Sequence, residues 1–161
     1  MILRDFKQED SEPLVIFLNN ENVTRYLTTR IPNPYTEQDA LLWITEHSKV
    51  GINKAIECDG VLVGAIGVRP GEFDYKRMAE IGYWIAEEYW NKGIATAALK
   101  EMTSQIFSTT DIVRLVAPIF NGNKGSKRVL EKCGYQLEGI FKNAIYKNDC
   151  FYDEAIYAKL L

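Results

Sequence analysis

Long apolar runs are missing from this chain, as are basic blocks, paired cysteines and low-complexity tails. Nothing in it approaches the roughly 18 apolar residues that a membrane-spanning helix needs. The opening MILRDFKQED turns polar and acidic too early for a signal peptide. Only three cysteines occur, Cys58, Cys133 and Cys150, and none lie in CxxC spacing. Neither a disulfide framework nor a zinc site is therefore indicated, no metal is expected, and a reduced cytoplasmic setting is the default. Lys and Arg number 19 against 22 Asp and Glu, a formal charge of −3. That balance argues against non-specific nucleic-acid binding, which draws its affinity from cations on phosphates. The same balance mildly favours a cationic partner such as an amine. No Pro/Gly/Ser-rich linker and no internal repeat divides the 161 residues, so residues 1–161 read as a single domain.

What is present is an ordinary globular composition, 47% hydrophobic and 25% charged. The pattern predicts a strand over 2–6, a helix over about 10–20 and a short helical piece over 22–27. Thr36 followed by Asp39 is a variant capping box that starts a helix carrying Leu41, Trp43 and Ile44. Two strands then flank Asp59-Gly60, a favoured two-residue hairpin turn. MAEIGYWI (78–85) reads as a central strand, apolar on both faces. Residues 93–107 place Ala95, Leu99, Met102 and Ile106 on one helical stripe. A strand over 111–119 follows, then a helix whose Ser126, Val129, Leu130 and Cys133 share a face and which Gly134 stops. A closing hairpin turns at Asn148-Asp149. The aromatics there (Tyr135, Phe141, Tyr146, Phe151, Tyr152 and Tyr157) are expected to be mostly core. His47, the one histidine, is expected on the surface near a helix end. The class is mixed α+β, with one right-handed crossover joining two parallel strands.

The junction IAEEYWNKGIATAALKEM is the most informative stretch. A helix that follows a strand offers unsatisfied N–H groups and a partial positive charge at its first turn. Such a terminus holds phosphate when the side chains there are small. Gly93 and Ala95 keep the turn thin, Asn91 tolerates a left-handed backbone, and Lys92 adds charge. A tight turn using Gly and Asn for geometry alone is the competing explanation. Neither G-x-G-x-x-G nor G-x-x-x-x-G-K-[ST] occurs, and FNGNKGSKR misses the phosphate-loop spacing.

EIGYWIAEEYWNKGIATAAL resembles motif A of the GNAT N-acetyltransferases and is most similar to their RimJ/RimL branch. Gly93-Ile94-Ala95 match the last three positions of the superfamily's [R/Q]-x-x-G-x-[G/A]. Trp90 stands at the Arg/Gln position, as is usual in this branch, and Asn91 stands where the branch usually has Gly. NKGSKRVLEKCGYQLEG, ENVTRYL and PYTEQDALLWI also resemble the branch, so the likeness runs along nearly the whole chain. It implies a GNAT fold, a mixed and mostly antiparallel sheet splayed between its two central parallel strands and flanked by helices. It also implies that coenzyme A lies in the splay, with its pyrophosphate on the amides of Asn91, Lys92, Gly93, Ile94, Ala95 and Thr96.

The implied reaction is direct transfer of acetyl from acetyl-CoA to a primary amine, either a protein N-terminus such as a ribosomal one or a small amine. Trp84 and Ile85 end the central strand, where the family uses a main-chain N–H on the acetyl carbonyl. Glu80 is the first candidate base, a carboxylate among Ala79, Ile81 and Tyr83 whose pKa desolvation would raise; a solvent-facing or ion-paired glutamate is the alternative. The tyrosine acid common elsewhere in the superfamily is replaced by Leu130, and the branch's serine falls on Ser126. Asn123, three residues earlier, would share its face and bond the pantetheine arm, or else simply cap the helix. Asn22, Arg25, Tyr26 and Tyr35 fall where the branch lines its acceptor side. The competing functions are an acyl-CoA sensor without turnover and a nucleotide-phosphate-binding protein. An oligomer is possible.

Overall fold

The computed structural model describes residues 1–161. The strands are β1 (Ile2–Arg4), β2 (Ile52–Cys58), β3 (Val61–Pro70), β4 (Met78–Ile85), β5 (Arg114–Phe120), β6 (Gln136–Lys147) and β7 (Cys150–Leu160). The helices are α1 (Ser11–Leu18), α2 (Glu21–Thr24), α3 (Glu37–Thr45), α4 (Ile94–Thr109) and α5 (Lys124–Lys132). The seven strands form one sheet in the order β1-β2-β3-β4-β5-β7-β6. Its parallel pair is β4 with β5, in register at Met78–Arg114, Ala79–Leu115 and Glu80–Val116. The crossover that joins them is α4, as the strand–helix–strand pattern requires.

The chain divides into two compact units, Met1–Val68 with Tyr83–Ala98 and Arg69–Gly82 with Leu99–Leu161. The core of the first gathers Phe6, Leu14, Leu18, Tyr35, Ala40, Ile44, Ala55, Leu62 and Ala65, with Trp43 and Trp84 packed against it. Phe6 meets Trp43 edge-on, ring centroids 5.8 Å apart. Thr36 caps α3 through a reciprocal box with Asp39, its amide donating to Asp39 Oδ2 at 2.8 Å. Arg4 ties β1 to the start of α1 by a bidentate pair with Asp10, both contacts 2.7 Å, and also bonds Glu57 on β2. Asp59 and Gly60 both take positive φ (51° and 82°), the signature of the expected two-residue turn.

In the second unit Leu99, Met102 and Ile106 of α4, Leu115 of β5 and Leu130 of α5 are fully enclosed. The buried Thr103 and Tyr135 hydroxyls satisfy each other at 2.8 Å. The same environment, chiefly by desolvation, pushes the Tyr135 phenol up to about 12.

Two expectations are corrected here. The strand β4 is not apolar on both faces: Ala79 and Ile81 are buried while Glu80 and Gly82 are exposed, because successive side chains point to opposite faces. Nor are the closing aromatics mostly core. Tyr135 and Tyr157 are buried, but Phe141, Tyr146, Phe151 and Tyr152 stand exposed on β6 and β7, the last two strands of the sheet.

One glycine fixes the approach of β3 to the end of β4. A Cβ added at Gly64 would lie 2.3 Å from the Trp84 carbonyl oxygen, a backbone atom with little room to retreat. Gly64→Ala is therefore expected to cost about 1–3 kcal/mol of stability. Urea unfolding measures it, and an unchanged midpoint would refute the close approach.

Candidate active site

The end of β4 and the start of α4 lie in the first unit, so the junction can be built up residue by residue. Ala86 donates to Val63 O at 2.8 Å, fixing the chain as it leaves the sheet. A single 3-10 turn over Glu87–Tyr89 follows, closed by Tyr89 N–H on Ala86 O and Trp90 N–H on Glu87 O. The Trp90 indole then reaches back to donate to Ile85 O at 2.7 Å. Trp90 thus braces the junction through its ring nitrogen. Beyond it Asn91 takes φ 59° and Gly93 φ 77°, two left-handed residues that turn the chain into α4. Left-handed backbone suits Gly best and Asn next, which explains how Asn91 occupies a position that otherwise favours glycine.

The surface in front of this turn is open. A Cβ built on Gly93 would meet no atom within 4 Å. Gly93 O accepts from Ala97 N at 3.0 Å, so α4 begins here and its first amides have no acceptor within the helix. Lys92 Nζ lies 5.0 Å from the Tyr89 ring centroid and adds a cation at the rim. Donor amides, a helix N-terminus and an adjacent cation without bulky cover fit a pyrophosphate.

The other expected donor-side and acceptor-side residues of this unit take distinct places. Ile85 is buried, and Trp84 is half-buried against the hydrophobic core. Asn22 Nδ2 donates to Glu87 at 2.9 Å, and the Arg25 guanidinium lies 5.4 Å from the Tyr26 ring centroid. Tyr35 is corrected: its ring is 6% exposed within the core, where desolvation pushes its phenol up to about 12. Its side chain is a packing element, and its backbone is held by Asn19 at 2.7 and 2.9 Å.

The second unit holds the remaining candidates. Asn123 is the N-cap of α5, its Oδ1 accepting from Ser126 N at 3.1 Å. The capping and ligand-facing alternatives for Asn123 are compatible, since the cap uses only its oxygen. Glu80 does not have the desolvated setting expected of it. It is exposed and paired with Arg69 at 2.9 Å. The carboxylate with the raised pKa is Glu154 on β7, shifted by burial first and by the nearby Glu80 second. Both side chains lie on one face of the sheet: Glu80 is level with Val116, and Glu154 with Phe120, four residues further along β5. Sequence reasoning missed Glu154 because it lies 74 positions from Glu80 and only the order β4-β5-β7 brings the two together.

Residues 1–136 match the acetyltransferase (GNAT) domain. This chain belongs to the GNAT acetyltransferases. It is 32% identical to the uncharacterized N-acetyltransferase YoaA of Bacillus subtilis, over 98% of this chain and 92% of that one. It is 31% identical to the ribosomal-protein-serine acetyltransferase of Escherichia coli, over 62% of this chain and 55% of the relative. The solved GNAT-family acetyltransferase of Bacillus anthracis superposes with a TM-score of 0.84 at 28% identity, covering 98% of this chain and 93% of that one. The fold and RimJ/RimL-like character read from the motifs are thereby confirmed, and this GNAT protein is an N-acetyltransferase. None of its helices is long and apolar enough to cross a membrane.

The Glu154 shift fixes a sign. A raised folded-state pKa means the folded chain binds this proton more tightly than the unfolded one. The associated stability is full below the unfolded pKa and is lost as pH rises through the folded value. Glu154→Gln removes that loss, so its Tm is expected to exceed wild type at pH 7, the excess disappearing near pH 4, around the ordinary glutamate pKa of about 4.3. Equal Tm values at pH 7 would show that burial of Glu154 does not perturb it.

Proposed function

We propose that this enzyme transfers acetyl from acetyl-CoA directly to a primary amine, with the pyrophosphate held by the amides of Asn91 to Thr96. The observation that carries this reading is the open, left-handed turn at Asn91 and Gly93 in front of the first turn of α4. Acetyl-CoA supplies an activated thioester. The protein's task is to present a neutral amine, polarise the carbonyl and protonate the departing sulfur. Polarisation is assigned to main chain at Ile85. The ammonium proton passes to the carboxylate pair Glu80 and Glu154, of which Glu154 is raised above its ordinary range by burial first and by Glu80 second. As the N–C bond forms and the C–S bond breaks, the Ser126 hydroxyl gives its proton to the leaving sulfur and is reprotonated by the proton that the new amide nitrogen sheds. Asn123 Nδ2 bonds the pantetheine arm, and Asn22, Arg25 and Tyr26 line the acceptor side. The acceptor class is a primary amine on a protein N-terminus. The ribosomal-protein-serine acetyltransferase among the relatives supports this choice, and the net charge of −3 favours a cationic acceptor.

The test is release of coenzyme A thiol from acetyl-CoA with N-terminal peptides, polyamines and aminoglycosides in parallel. Peptide-dependent release supports the reading. Release with polyamines alone moves the acceptor to small amines. Binding of acetyl-CoA with no release from any amine identifies a sensor.

Two substitutions test the assignments. Gly93→Glu sets a carboxylate against the pyrophosphate and strains a φ of 77°. It is expected to weaken coenzyme A binding at least about 100-fold by calorimetry; unchanged affinity in the folded variant removes the site. Ser126→Ala is expected to lower kcat about 10²-fold or more, with coenzyme A affinity little changed. Wild-type turnover with every accepted amine removes Ser126 from the chemistry.

A further inference from the structure

The turn before the coenzyme loop is fastened to a distant helix by one carboxylate. Glu87 Oε2 accepts from Asn20 Nδ2 at 2.8 Å, and Asn22 Nδ2 bridges Oε1 and Oε2 at 2.9 and 3.1 Å. Asn20 is held at both ends, because its Oδ1 also caps α2 by accepting from Asn22 N at 2.9 Å. The bonds span 67 and 65 residues of sequence, all within the first unit. On the other side, Glu87 O accepts the Trp90 N–H, and Asn91 begins the left-handed turn at the next residue. The two asparagines hold the Glu87 carboxyl below its usual range, Asn20 contributing more, so these bonds are made to the ionised form.

We propose that Glu87 is a positioning residue for the coenzyme loop, clamping the Glu87–Trp90 turn to the asparagines of α2 so that the left-handed turn at Asn91 and Gly93 is set before the coenzyme arrives. This rests on the proposed reading of the Asn91–Thr96 amides as the pyrophosphate ligand. The clamp has a directional chemistry, with acceptor on the turn and donors on the helix. It can therefore be broken and rebuilt without deleting a side chain. Asn20→Asp preserves the N-cap, since Asp caps a helix as well as Asn, but faces Glu87 with a like charge. Glu87→Gln turns one acceptor into a donor against the Asn22 amide. Asn22→Asp in the Glu87→Gln background reverses donor and acceptor and restores the bond.

The experiment is calorimetric titration of the full chain with coenzyme A, alongside thermal unfolding. Asn20→Asp and Glu87→Gln are expected to raise the Kd for coenzyme A about fivefold or more, with Tm nearly unchanged. The Glu87→Gln, Asn22→Asp double variant is expected to return to within about twofold of wild type, a non-additive recovery that a merely structural role would not produce. Kd values within about twofold of wild type for both single variants overturn the clamp while leaving the coenzyme site standing. Absence of coenzyme A binding in the wild-type chain overturns both together. A double variant as weak as Glu87→Gln overturns the donor–acceptor account.

Discussion

The passage from β4 into α4 is governed by backbone geometry before any side chain takes part. Two left-handed residues, Asn91 and Gly93, separated by one position, carry the chain from extended to helical without placing a Cβ over the first turn. Only Gly adopts such angles without cost, and Asn adopts them more readily than larger residues. The amides of that turn are the groups an α-helix leaves unbonded, so exposing them makes an anion site from main chain alone. The rest of the junction serves to hold that geometry: the Trp90 indole on Ile85 O, the Ala86 amide on Val63 O, and the Glu87 carboxylate on α2.

Much of the fold was legible because its signals are local. Asp59-Gly60 and Asn148-Asp149 announce turns that need positive φ at both positions, and all four residues have it. Thr36 with Asp39 marks the start of α3 by a reciprocal bond that both residue types are built to make. Leu99, Met102 and Ile106 recur at helical spacing and are fully enclosed, while Gly134 ends α5 with φ 80°. The left-handed turn at Asn91 and Gly93 was legible for the same reason, since its geometry lies in consecutive residues.

What was not legible depends on register and on long sequence separation. Glu80 looks desolvated among Ala79, Ile81 and Tyr83, but those neighbours include residues on the opposite face of the strand. The period of two turns Glu80 outward to Arg69, and the perturbed carboxylate is its sheet-mate Glu154. The exposed Phe141, Tyr146 and Phe151 could not be separated from buried Tyr135 and Tyr157 by residue type, because exposure along β6 and β7 is decided by how the strands pair. Tyr35 shares a stretch with acceptor-side motif residues yet turns into the core.

A carboxylate just ahead of the loop proposed to hold the pyrophosphate looks self-defeating, and magnitudes decide whether it is. A unit charge about 10 Å from a phosphate in water costs about 0.4 kcal/mol, less at physiological ionic strength, where the screening length is about 8 Å. Loss of the order imposed by charge-assisted hydrogen bonds weighs more, since each is typically stronger than a neutral one by about a factor of two. Neutral asparagines are also a better choice of partner than lysine would be for keeping Glu87 turned toward α2. An ammonium is free to abandon the carboxylate for the more highly charged pyrophosphate, whereas an amide anchored by its own oxygen on a helix cap is not. In the proposed reading the junction therefore separates its two tasks, with Lys92 supplying positive charge at the rim and Glu87 supplying fixed geometry behind it.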